Sequence, residues 1–326
     1  MRHTTSPAEF NRRAFLSSIA SAVPALGAAA LLTGCSKADN IRLALNWKPD
    51  PQFGGFYAAD YKTAGLSVEV LPGGAGTPTV QMIGAGSAEF GIVAADEIVL
   101  ARSRGNDVVG LFAAFQDSPQ AIMVHTERGV MSIEELLEKG GTLALQKGLP
   151  YARLLEKEYG FSHVTIVPSP GGDITAFLND PTFAQQCFIM SEPLQAKHAG
   201  AKVTVLPVAE TGYNPYTTVL ATSGTLLRDK PDTAKKMVEA VRTGWQNYLK
   251  NPKPTNDRMH DLNPSMNADT FAEVAEAQKP FVENDSTSTM GLGSMTKIRW
   301  EKLIGQLQGL GDIPAAIPAD DCFRSL

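Results

Sequence analysis

The stretch Glu89-Phe90-Gly91-Ile92-Val93-Ala94-Ala95-Asp96 decides the fold class of this chain. Phe90–Val93 is short and apolar, as in a buried strand, and Asp96 can cap a helix that ends near Gly105. The next run, Val108–Phe115, has no polar side chain, which favours a strand buried on both faces. A buried strand, a helix and a second buried strand in this order predict a mostly parallel sheet.

The same alternation continues on both sides of this stretch. Further strands are predicted at Ile41–Leu45, Leu66–Leu71, Ala121–His125, Thr142–Leu145, Val164–Val167, Phe188–Met190, Val203–Pro207 and Thr217–Thr222. Helices are predicted between them, the first at Phe53–Thr63, and helices dominate the end of the chain, at Pro231–Leu249, Ala268–Val282 and Lys297–Leu310. The pattern predicts an α/β fold with a mostly parallel sheet covered on both faces. Two such sets joined twice predict two lobes, 41–118 plus 217–326 and 119–216.

The composition is that of an ordinary globular protein and excludes several classes of function. The 326 residues are 43% hydrophobic and 19% charged, with a formal net charge of −5. No basic run is present, which argues against a nucleic-acid partner. The five histidines show no ligand spacing and there is no Cys-x-x-Cys, so we expect neither a metal nor a cofactor. Cys187 and Cys322 are either two buried thiols or a disulfide.

The N-terminus has the layout of an export signal. Arg12 and Arg13 precede the uncharged run Ala14–Leu32, which closes at Leu31-Leu32-Thr33-Gly34-Cys35. A cysteine directly after Leu-x-Gly resembles a bacterial lipobox. This predicts a signal peptide over residues 1–34, lipidation of Cys35 and a tether over residues 35–40.

Two alternatives stay open for this segment. The twin arginines also resemble the twin-arginine export motif, although Asn11 stands where Ser or Thr is usual. A simple secretory cut or a membrane anchor near Ala28–Ala30 is the alternative to lipidation. In each case we expect an exported protein in the periplasm or at the cell surface, and the lipidated form would be anchored in the membrane.

Five motifs carry a family resemblance. They are Leu45-Asn46-Trp47-Lys48-Pro49-Asp50-Pro51 with Phe56-Tyr57-Ala58-Ala59, Glu89–Asp96, Pro119–His125, Ser191-Glu192-Pro193 and Tyr213–Leu220. The chain resembles thiamine-pyrimidine-precursor-binding proteins of ABC transporters, whose superfamily includes sulfonate-, taurine- and nitrate-binding proteins. The resemblance implies a two-lobed periplasmic-binding-protein type II fold with a hinge, and a small-molecule ligand in the cleft. It also implies permease and ATPase subunits as partners, and we expect a monomer.

Ten residues are candidates for ligand binding, some from the pattern and some from the resemblance. They are Asn46, Trp47, Tyr57, Asp96, Gln116, Gly148, Tyr151, Gly172, Glu192 and Tyr216. Trp47 can stack on a planar heterocycle, and the amide of Asn46 can donate to and accept from an aminopyrimidine edge. Glu192 can accept from an exocyclic amine. The alternatives are a core tryptophan, a turn asparagine and a first-turn helix carboxylate.

Other candidates have equally plain structural alternatives. Tyr57 is expected to face the cleft and its neighbour Phe56 the core, because adjacent helical residues point in different directions. Asp96 is either a helix cap or a ligand acceptor, and Tyr216 either lines the cleft or packs the hinge. The loop Gly73–Gly76 before Thr77-Pro78 is either an acceptor cradle at a helix N-terminus or a tight turn, with Thr77 as the expected N-cap.

Three functions compete at this stage. The leading one is a lipid-anchored binding protein that delivers a thiamine-precursor-like pyrimidine to an ABC permease. The second is a binding protein for a sulfonate, taurine, nitrate or a riboflavin-like compound. The third is an enzyme like the fungal pyrimidine synthases, which the absence of a cysteine cluster and of a matching motif histidine disfavours. We therefore expect no catalytic residues.

Overall fold

The structure is a computed structural model and describes residues 40–326. The predictions for the signal peptide, for Cys35 and for the tether up to residue 39 lie outside this range. In the described chain Cys187 and Cys322 are buried free thiols, as in the first of the two alternatives. No helix between residues 40 and 326 has the length and apolar character needed to cross a bilayer.

Ten strands form two sheets. They are β1 (Asn40–Ala44), β2 (Ser67–Leu71), β3 (Phe90–Val93), β4 (Val108–Phe115), β5 (Gln120–His125), β6 (Gly141–Ala144), β7 (Val164–Val167), β8 (Phe183–Phe188), β9 (Val203–Pro207) and β10 (Thr217–Ser223). The first sheet has the order β2-β1-β3-β10-β4 and the second the order β7-β6-β8-β5-β9. The predicted α/β class is therefore confirmed. The lobe boundaries stay a prediction with which this sheet membership is compatible.

Fifteen helices connect and cover these strands in the described range. They are α1 (Gly54–Ala58), α2 (Thr79–Gly84), α3 (Ala95–Ser103), α4 (Ile133–Lys139), α5 (Pro150–Tyr159), α6 (Thr175–Asn179), α7 (Glu192–His198), α8 (Gly224–Asp229), α9 (Pro231–Lys250), α10 (Lys253–Leu262), α11 (Ala268–Ala277), α12 (Lys279–Val282), α13 (Asp285–Met290), α14 (Lys297–Gly309) and α15 (Ala319–Cys322). Short 3₁₀ turns lie at Pro51–Phe53, Thr126–Arg128 and Val208–Thr211.

One strand in each sheet runs against the others. β10 is antiparallel to both of its neighbours, and β5 likewise, whereas the remaining ladders are parallel. The chain leaves β4 at the carboxyl edge of the first sheet and enters the second sheet at its carboxyl edge. β5 must therefore run antiparallel to its neighbours in the second sheet. The chain returns into β10 in the same way, so β10 is antiparallel to its neighbours in the first sheet. The expectation of a mostly parallel sheet holds for four of the five strands in each.

The core covers both faces of the sheets, as predicted. Every residue of β4 is buried, which fits its unbroken apolar sequence. One cluster contains the residues beneath α3 and α14 on one face of the first sheet, and it continues into the residues beneath α5 on the second sheet. Another cluster lies on the opposite face of the first sheet, beneath α1, α9 and α11. A smaller cluster around Phe177 covers the other face of the second sheet.

Several local predictions were wrong, and each has a physical reason. The helix predicted over Phe53–Thr63 ends at Ala58, where the C-cap Ala59 is extended. The helix predicted over Ala268–Val282 breaks between α11 and α12, because Pro280 cannot donate an intrahelical hydrogen bond. The strand predicted at Phe188–Met190 is β8, which ends at Phe188. Hydrophobic periodicity predicts that a helix or strand exists more reliably than it predicts the residues at which the element begins and ends.

The glycine loop is a tight turn, and the expected Thr77 cap is wrong. Oγ1 of Thr77 accepts from the Gly74 N–H at 2.8 Å and donates to the Gly74 carbonyl at 2.9 Å. The N-cap of α2 is Pro78, with no side-chain cap. Gly73 donates its N–H to the carbonyl of Trp47 at 3.0 Å. A Cβ there would lie 2.1 Å from the carbonyl oxygen of Leu45, so only glycine allows this approach.

We expect Gly73→Ala to destabilise the protein by about 1–3 kcal/mol, because the added methyl must push the Leu45–Trp47 segment away. Gly74→Ala is the matched control, since a Cβ at Gly74 meets nothing within 4 Å. Chemical denaturation of both variants measures the difference. Equal stability of the two would show that the close approach does not constrain the loop that carries Trp47.

Candidate functional site

The carboxyl edges of the two sheets face each other, and Trp47 lies between them. Trp47 follows β1, is half-buried and packs against the core of the first sheet. A Cβ added to Gly171, in the loop after β7, would lie 3.7 Å from Cη2 of the Trp47 ring. The tryptophan therefore touches a loop of the opposite sheet. This is the crevice outside the carboxyl ends of strands where open α/β sheets bind ligands.

Glu192 lies on the opposite side of the same loop. It begins α7 directly after β8, and its Oε2 accepts the N–H of Phe188 at 2.9 Å. Its Oε1 lies 3.6 Å from a Cβ added to Gly172. Gly171 and Gly172 have φ values of +64° and +92°, a backbone shape that glycine adopts at little cost. The ring of Trp47 and the carboxyl group of Glu192 thus flank one dipeptide.

Burial governs the charge of Glu192. Loss of solvent raises the pKa of this carboxyl group, and the hydrogen bond from the Phe188 N–H only partly opposes the rise. No ion pair with Glu192 forms within residues 40–326. The carboxyl group of Glu192 therefore has no cationic side-chain partner among the described residues.

Asn46 presents a second unmet polar group. Its Oδ1 is buried and accepts no hydrogen bond from any described residue. A buried acceptor without a donor costs about 1–3 kcal/mol, which a ligand N–H would recover. This atom fits the predicted role of Asn46 better than the alternative of a turn residue, whose side chain would bond to its own backbone.

Asp50 is a cleft residue that the sequence analysis did not single out. Only 8% of it is exposed, and its two carboxylate oxygens accept the backbone N–H and the side-chain N–H of Gln52, each at 3.0 Å. Burial raises its pKa to about 7, and the charge of Glu192 adds to the shift. Its position within Pro49-Asp50-Pro51 reads as a turn. The only sequence signal that could have identified Asp50 as a cleft residue was its closeness to Trp47 in the chain.

Phe56 lies in the core as expected, whereas Tyr57 is buried in the same cluster and its expected place facing the cleft stays a prediction. Phe56 is fully buried, with its ring edge-to-face on Trp245 at a centroid distance of 5.9 Å. Tyr57 is 4% exposed, and burial raises its pKa to about 12. The guanidinium of Arg258 lies 5.3 Å from the centre of the Tyr57 ring. The Tyr57 hydroxyl is buried and has no partner in the described chain.

Asp96 bonds to Tyr213, close to the chain crossing that leads into β10. Its expected role as the N-cap of α3 is wrong. Ala94 is the N-cap of α3. Oδ2 of Asp96 accepts the hydroxyl of Tyr213 at 2.8 Å, and Oδ1 accepts the N–H of Glu97 at 2.9 Å. Burial raises the pKa of Asp96, and the bond from Tyr213 opposes this. Both oxygens are occupied by the protein, which leaves less capacity for a ligand.

Gln116 and Tyr216 stand at the two chain crossings. Gln116 is buried, and its Nε2 donates to the carbonyls of Ala113 and Ser294 at 3.0 and 3.1 Å. The hydroxyl of Tyr216 accepts the Thr296 N–H at 3.1 Å, and the guanidinium of Arg299 lies 3.9 Å from its ring centre. These contacts favour hinge packing over cleft lining for Tyr216.

Gly148 and Tyr151 lie at the end of β6. The hydroxyl of Tyr151 donates to Oε1 of Gln186 at 2.9 Å, and the same oxygen accepts the Gln146 N–H at 2.6 Å. Tyr151 is buried, so its visible role is to hold this loop in place. Gly148 is exposed with open space where a Cβ would lie.

Two polar contacts bridge elements of the two sheets. Arg153 on α5 pairs with Asp312 after α14 at 2.7 Å, and Arg153 also donates to the carbonyl of Gly148. His198 on α7 lies 2.9 Å from Glu273 on α11. Together with the contact between Trp47 and Gly171, these bridges link the two sheets across the cleft.

Two surface cavities lie elsewhere. One of about 540 Å³ lies at the amino edge of the first sheet beside Asn40 and Glu89, and one of about 300 Å³ lies behind the hinge beside Asp117 and Arg299. Neither is lined by Trp47 or Glu192. No group of three or more His, Cys, Asp or Glu side chains suited to a metal occurs in the described residues.

The comparisons with known proteins agree with this geometry. A family model described as NMT1/THI5 like matches residues 50–255. The chain belongs to the NMT1/THI5-like family. No curated protein matches it.

Solved structures similar to this NMT1/THI5-like chain identify its fold as the two-lobed periplasmic-binding-protein type II fold. The periplasmic aliphatic sulphonate binding protein SsuA of Escherichia coli has a TM-score of 0.65 at 13% identity, covering 88% of this chain and 92% of that one. The alkanesulfonate-binding SsuA of Xanthomonas axonopodis pv. citri, bound to MOPS, has 0.63 at 11%, covering 88% and 98%. A Candida albicans protein with the generic periplasmic binding protein fold has 0.59 at 15%, covering 88% and 96%.

The structure therefore brings together only part of the predicted set. Trp47, Gly172 and Glu192 meet at one loop, and Asn46 lies beside Trp47 in the chain. Asp96, Gln116 and Tyr216 hold the hinge, while Tyr151 supports a loop. Ligand contact by any of them stays a prediction.

We expect Tyr213→Phe to cost about 1–3 kcal/mol of stability, because it removes the hydroxyl that donates to buried Asp96. Since that bond favours the ionised carboxylate, the loss should be greatest at neutral pH and should shrink as Asp96 becomes protonated in acid. Urea denaturation across pH measures it. Tyr159→Phe, at an exposed tyrosine on α5, should leave stability unchanged; a pH-independent loss at Tyr213 would contradict the assignment.

Proposed function

We propose that the protein is the exported solute-binding component of an ABC importer, and that its cleft takes a planar heterocycle of the aminopyrimidine class. Membership of the NMT1/THI5-like family and the periplasmic-binding-protein fold support the binding role. Two lobes joined by crossings suit capture by hinge closure, followed by delivery to a permease and its ATPase. On this proposal the protein performs no covalent chemistry.

The observation that carries the ligand class is the uncompensated Glu192 carboxyl group across one glycine pair from the Trp47 ring. A flat ring can stack on the indole, which is worth roughly 1–3 kcal/mol by analogy with base stacking. An exocyclic amine or a ring N–H can donate to Glu192. The unpartnered Oδ1 of Asn46 offers a second acceptor for the same edge.

Charge argues against an anionic ligand in this cleft. SsuA proteins are described as sulfonate binders, and a sulfonate needs donors or cations around it. Here the buried carboxyl group of Glu192 lies across the Gly171-Gly172 pair from the Trp47 ring, and its charge reaches the buried carboxyl group of Asp50. Transferring an anion next to buried carboxylates is unfavourable, because like charges repel strongly where water is scarce.

Ligand binding should change the fluorescence of one tryptophan only. The chain has three tryptophans, and Trp245 and Trp300 are fully buried away from the cleft. We expect 4-amino-5-hydroxymethylpyrimidine to quench the wild-type protein with saturation and to raise its melting temperature. Binding at 100 times Kd stabilises by about 2.7 kcal/mol.

Two variants and a control make this test specific. Trp47→Phe should abolish the quench, and Glu192→Gln should weaken binding at least tenfold, whereas Lys147→Ala should bind normally because that lysine is exposed and pairs with Glu156. A response to alkanesulfonates but not to aminopyrimidines would sink the ligand class and leave the transport role. No response to either panel would count against both.

We also propose that Cys35 carries a lipid that anchors the protein to the membrane. The Cys35→Ser variant should lose labelled palmitate and move to the soluble fraction, because it lacks the thiol that receives the diacylglyceryl group. Ser17→Ala, in the same segment, should behave as wild type. Continued membrane association of Cys35→Ser would favour an uncleaved anchor instead.

A further inference from the structure

The position of the Gly171-Gly172 pair decides how much room there is beside the Trp47 ring. A Cβ on Gly171 would lie 3.7 Å from Cη2 of Trp47, and a Cβ on Gly172 would lie 3.6 Å from Oε1 of Glu192. Both are ordinary van der Waals distances, and a displacement of about 1 Å already forfeits much of the attraction between two packed surfaces. Small movements of this loop would therefore change what fits in the proposed site.

The loop is poorly held by its own hydrogen bonds. The N–H of Asp173 donates to the Pro170 carbonyl at 3.4 Å, and the N–H of Gly171 donates to Oγ of Ser169 at 3.5 Å. Both distances exceed the range of about 2.7–3.2 Å that is usual for such bonds. Pro170, Gly171 and Asp173 are also exposed to solvent, which competes for these groups.

Gln185 on β8 anchors the loop from the interior of the second sheet. Its Nε2 donates to the backbone carbonyl of Asp173 at 2.9 Å, and the residue is fully buried. β8 pairs with β5 on one side and with β6 on the other, and Gln185 takes part in both ladders. The bond thus ties an exposed loop to a central strand that cannot follow the loop's movements.

The other half of the same amide has no partner. Oε1 of Gln185 is buried and accepts no hydrogen bond from any described residue. The amide gains one bond and leaves one acceptor unmet, so its net contribution to the stability of the fold is small. A methionine of the same length would fill this space without an unmet oxygen. What the glutamine adds is the donor to the loop.

The same strand also fixes the carboxyl group on the far side of the loop. The N–H of Phe188, the last residue of β8, donates to Oε2 of Glu192 at 2.9 Å. Gln185 and Phe188 are three residues apart, so the glycine pair and Glu192 are held by one rigid element. Such preorganisation lowers the cost of ordering a site when a ligand binds.

We propose that Gln185 is a positioning residue for ligand recognition, which holds Gly171-Gly172 at a fixed distance from Trp47 through its bond to the Asp173 carbonyl. This inference rests on the proposed function, because it concerns the same cleft. Gln185 is fully buried beneath the loop and acts on the ligand only through it. Its donor therefore controls the affinity of the cleft without contributing a ligand contact.

Two variants and a control of similar stability test this inference. Gln185→Met replaces the amide by an apolar side chain of the same length, and Gln185→Asn keeps the amide but shortens it by one methylene group. The control is Ser132→Ala, which removes the side-chain cap of α4, where Oγ accepts the Glu135 N–H at 3.1 Å. Ser132 follows the end of β5, at the edge of the second sheet opposite the cleft. Its loss lowers stability without reaching the loop.

Fluorescence without any ligand reports the loop directly. Trp47 is half-buried, whereas Trp245 and Trp300 are fully buried, so acrylamide quenches Trp47 preferentially. We expect both Gln185 variants to show a larger acrylamide quenching constant than wild type and an emission maximum at longer wavelength, because a released loop uncovers the indole. Ser132→Ala should keep the wild-type values although it melts at a lower temperature.

Titration calorimetry with 4-amino-5-hydroxymethylpyrimidine measures the effect on recognition. We expect both Gln185 variants to bind about tenfold more weakly than wild type, because the loop is no longer held in place before the ligand arrives. Ser132→Ala should bind as wild type does. Circular dichroism confirms that each variant is folded.

The other outcomes separate this inference from the proposed function. Unchanged affinity in the Gln185 variants, with or without altered quenching, overturns the positioning role and leaves the proposed function standing. An equal loss of affinity in Ser132→Ala traces the effect to stability and also overturns it, as does failure of both Gln185 variants to fold. If wild type does not bind the pyrimidine, the proposed ligand class fails and the quenching result alone decides the role of Gln185.

Discussion

The constraint on which the structure depends is the direction in which the chain crosses between its two sheets. β4 ends and β5 begins at carboxyl edges, and the return into β10 repeats this arrangement. The crossing strands must therefore run antiparallel to their neighbours, and the two carboxyl edges must face each other. Every loop that follows a parallel strand then opens towards one cleft. Trp47, Gly172 and Glu192 come from three such loops.

The polar groups of the molecule divide according to whether the protein itself satisfies them. At the hinge, Asp96 is met by Tyr213 and Glu97, and Tyr216 by Thr296. In the cleft, Asn46 and Tyr57 keep buried atoms without partners among the described residues. Unmet buried atoms also occur at the hinge and in the core, such as Oε1 of Gln116 and Nε1 of Trp300, so an unmet atom supports a ligand contact only where its position in the cleft does too.

The sequence analysis predicted elements reliably where local chemistry decides them. Val164–Val167 and Val203–Pro207 were placed exactly because β-branched residues and flanking turn residues agree there. Pro150 opens α5 as expected, since proline suits the first turn of a helix. The sequence analysis failed where contacts with other residues decide which hydrogen bond a side chain makes. Thr77 bonds to Gly74 instead of capping α2, and Asp96 bonds to Tyr213, a residue 117 positions away.

The sequence by itself determined the α/β class and the positions of most strands, because hydrophobic period is a local property; it also singled out Trp47 and Glu192 as candidates, through motif chemistry. Only the tertiary structure decided which polar residues remain unmet. Asp50 reads as a turn residue between two prolines until Asn263 and Gln278 are seen to pin its loop and Glu192 to share its surroundings. Burial and electrostatic pairing arise between segments that are far apart in the chain, and no local pattern contains them.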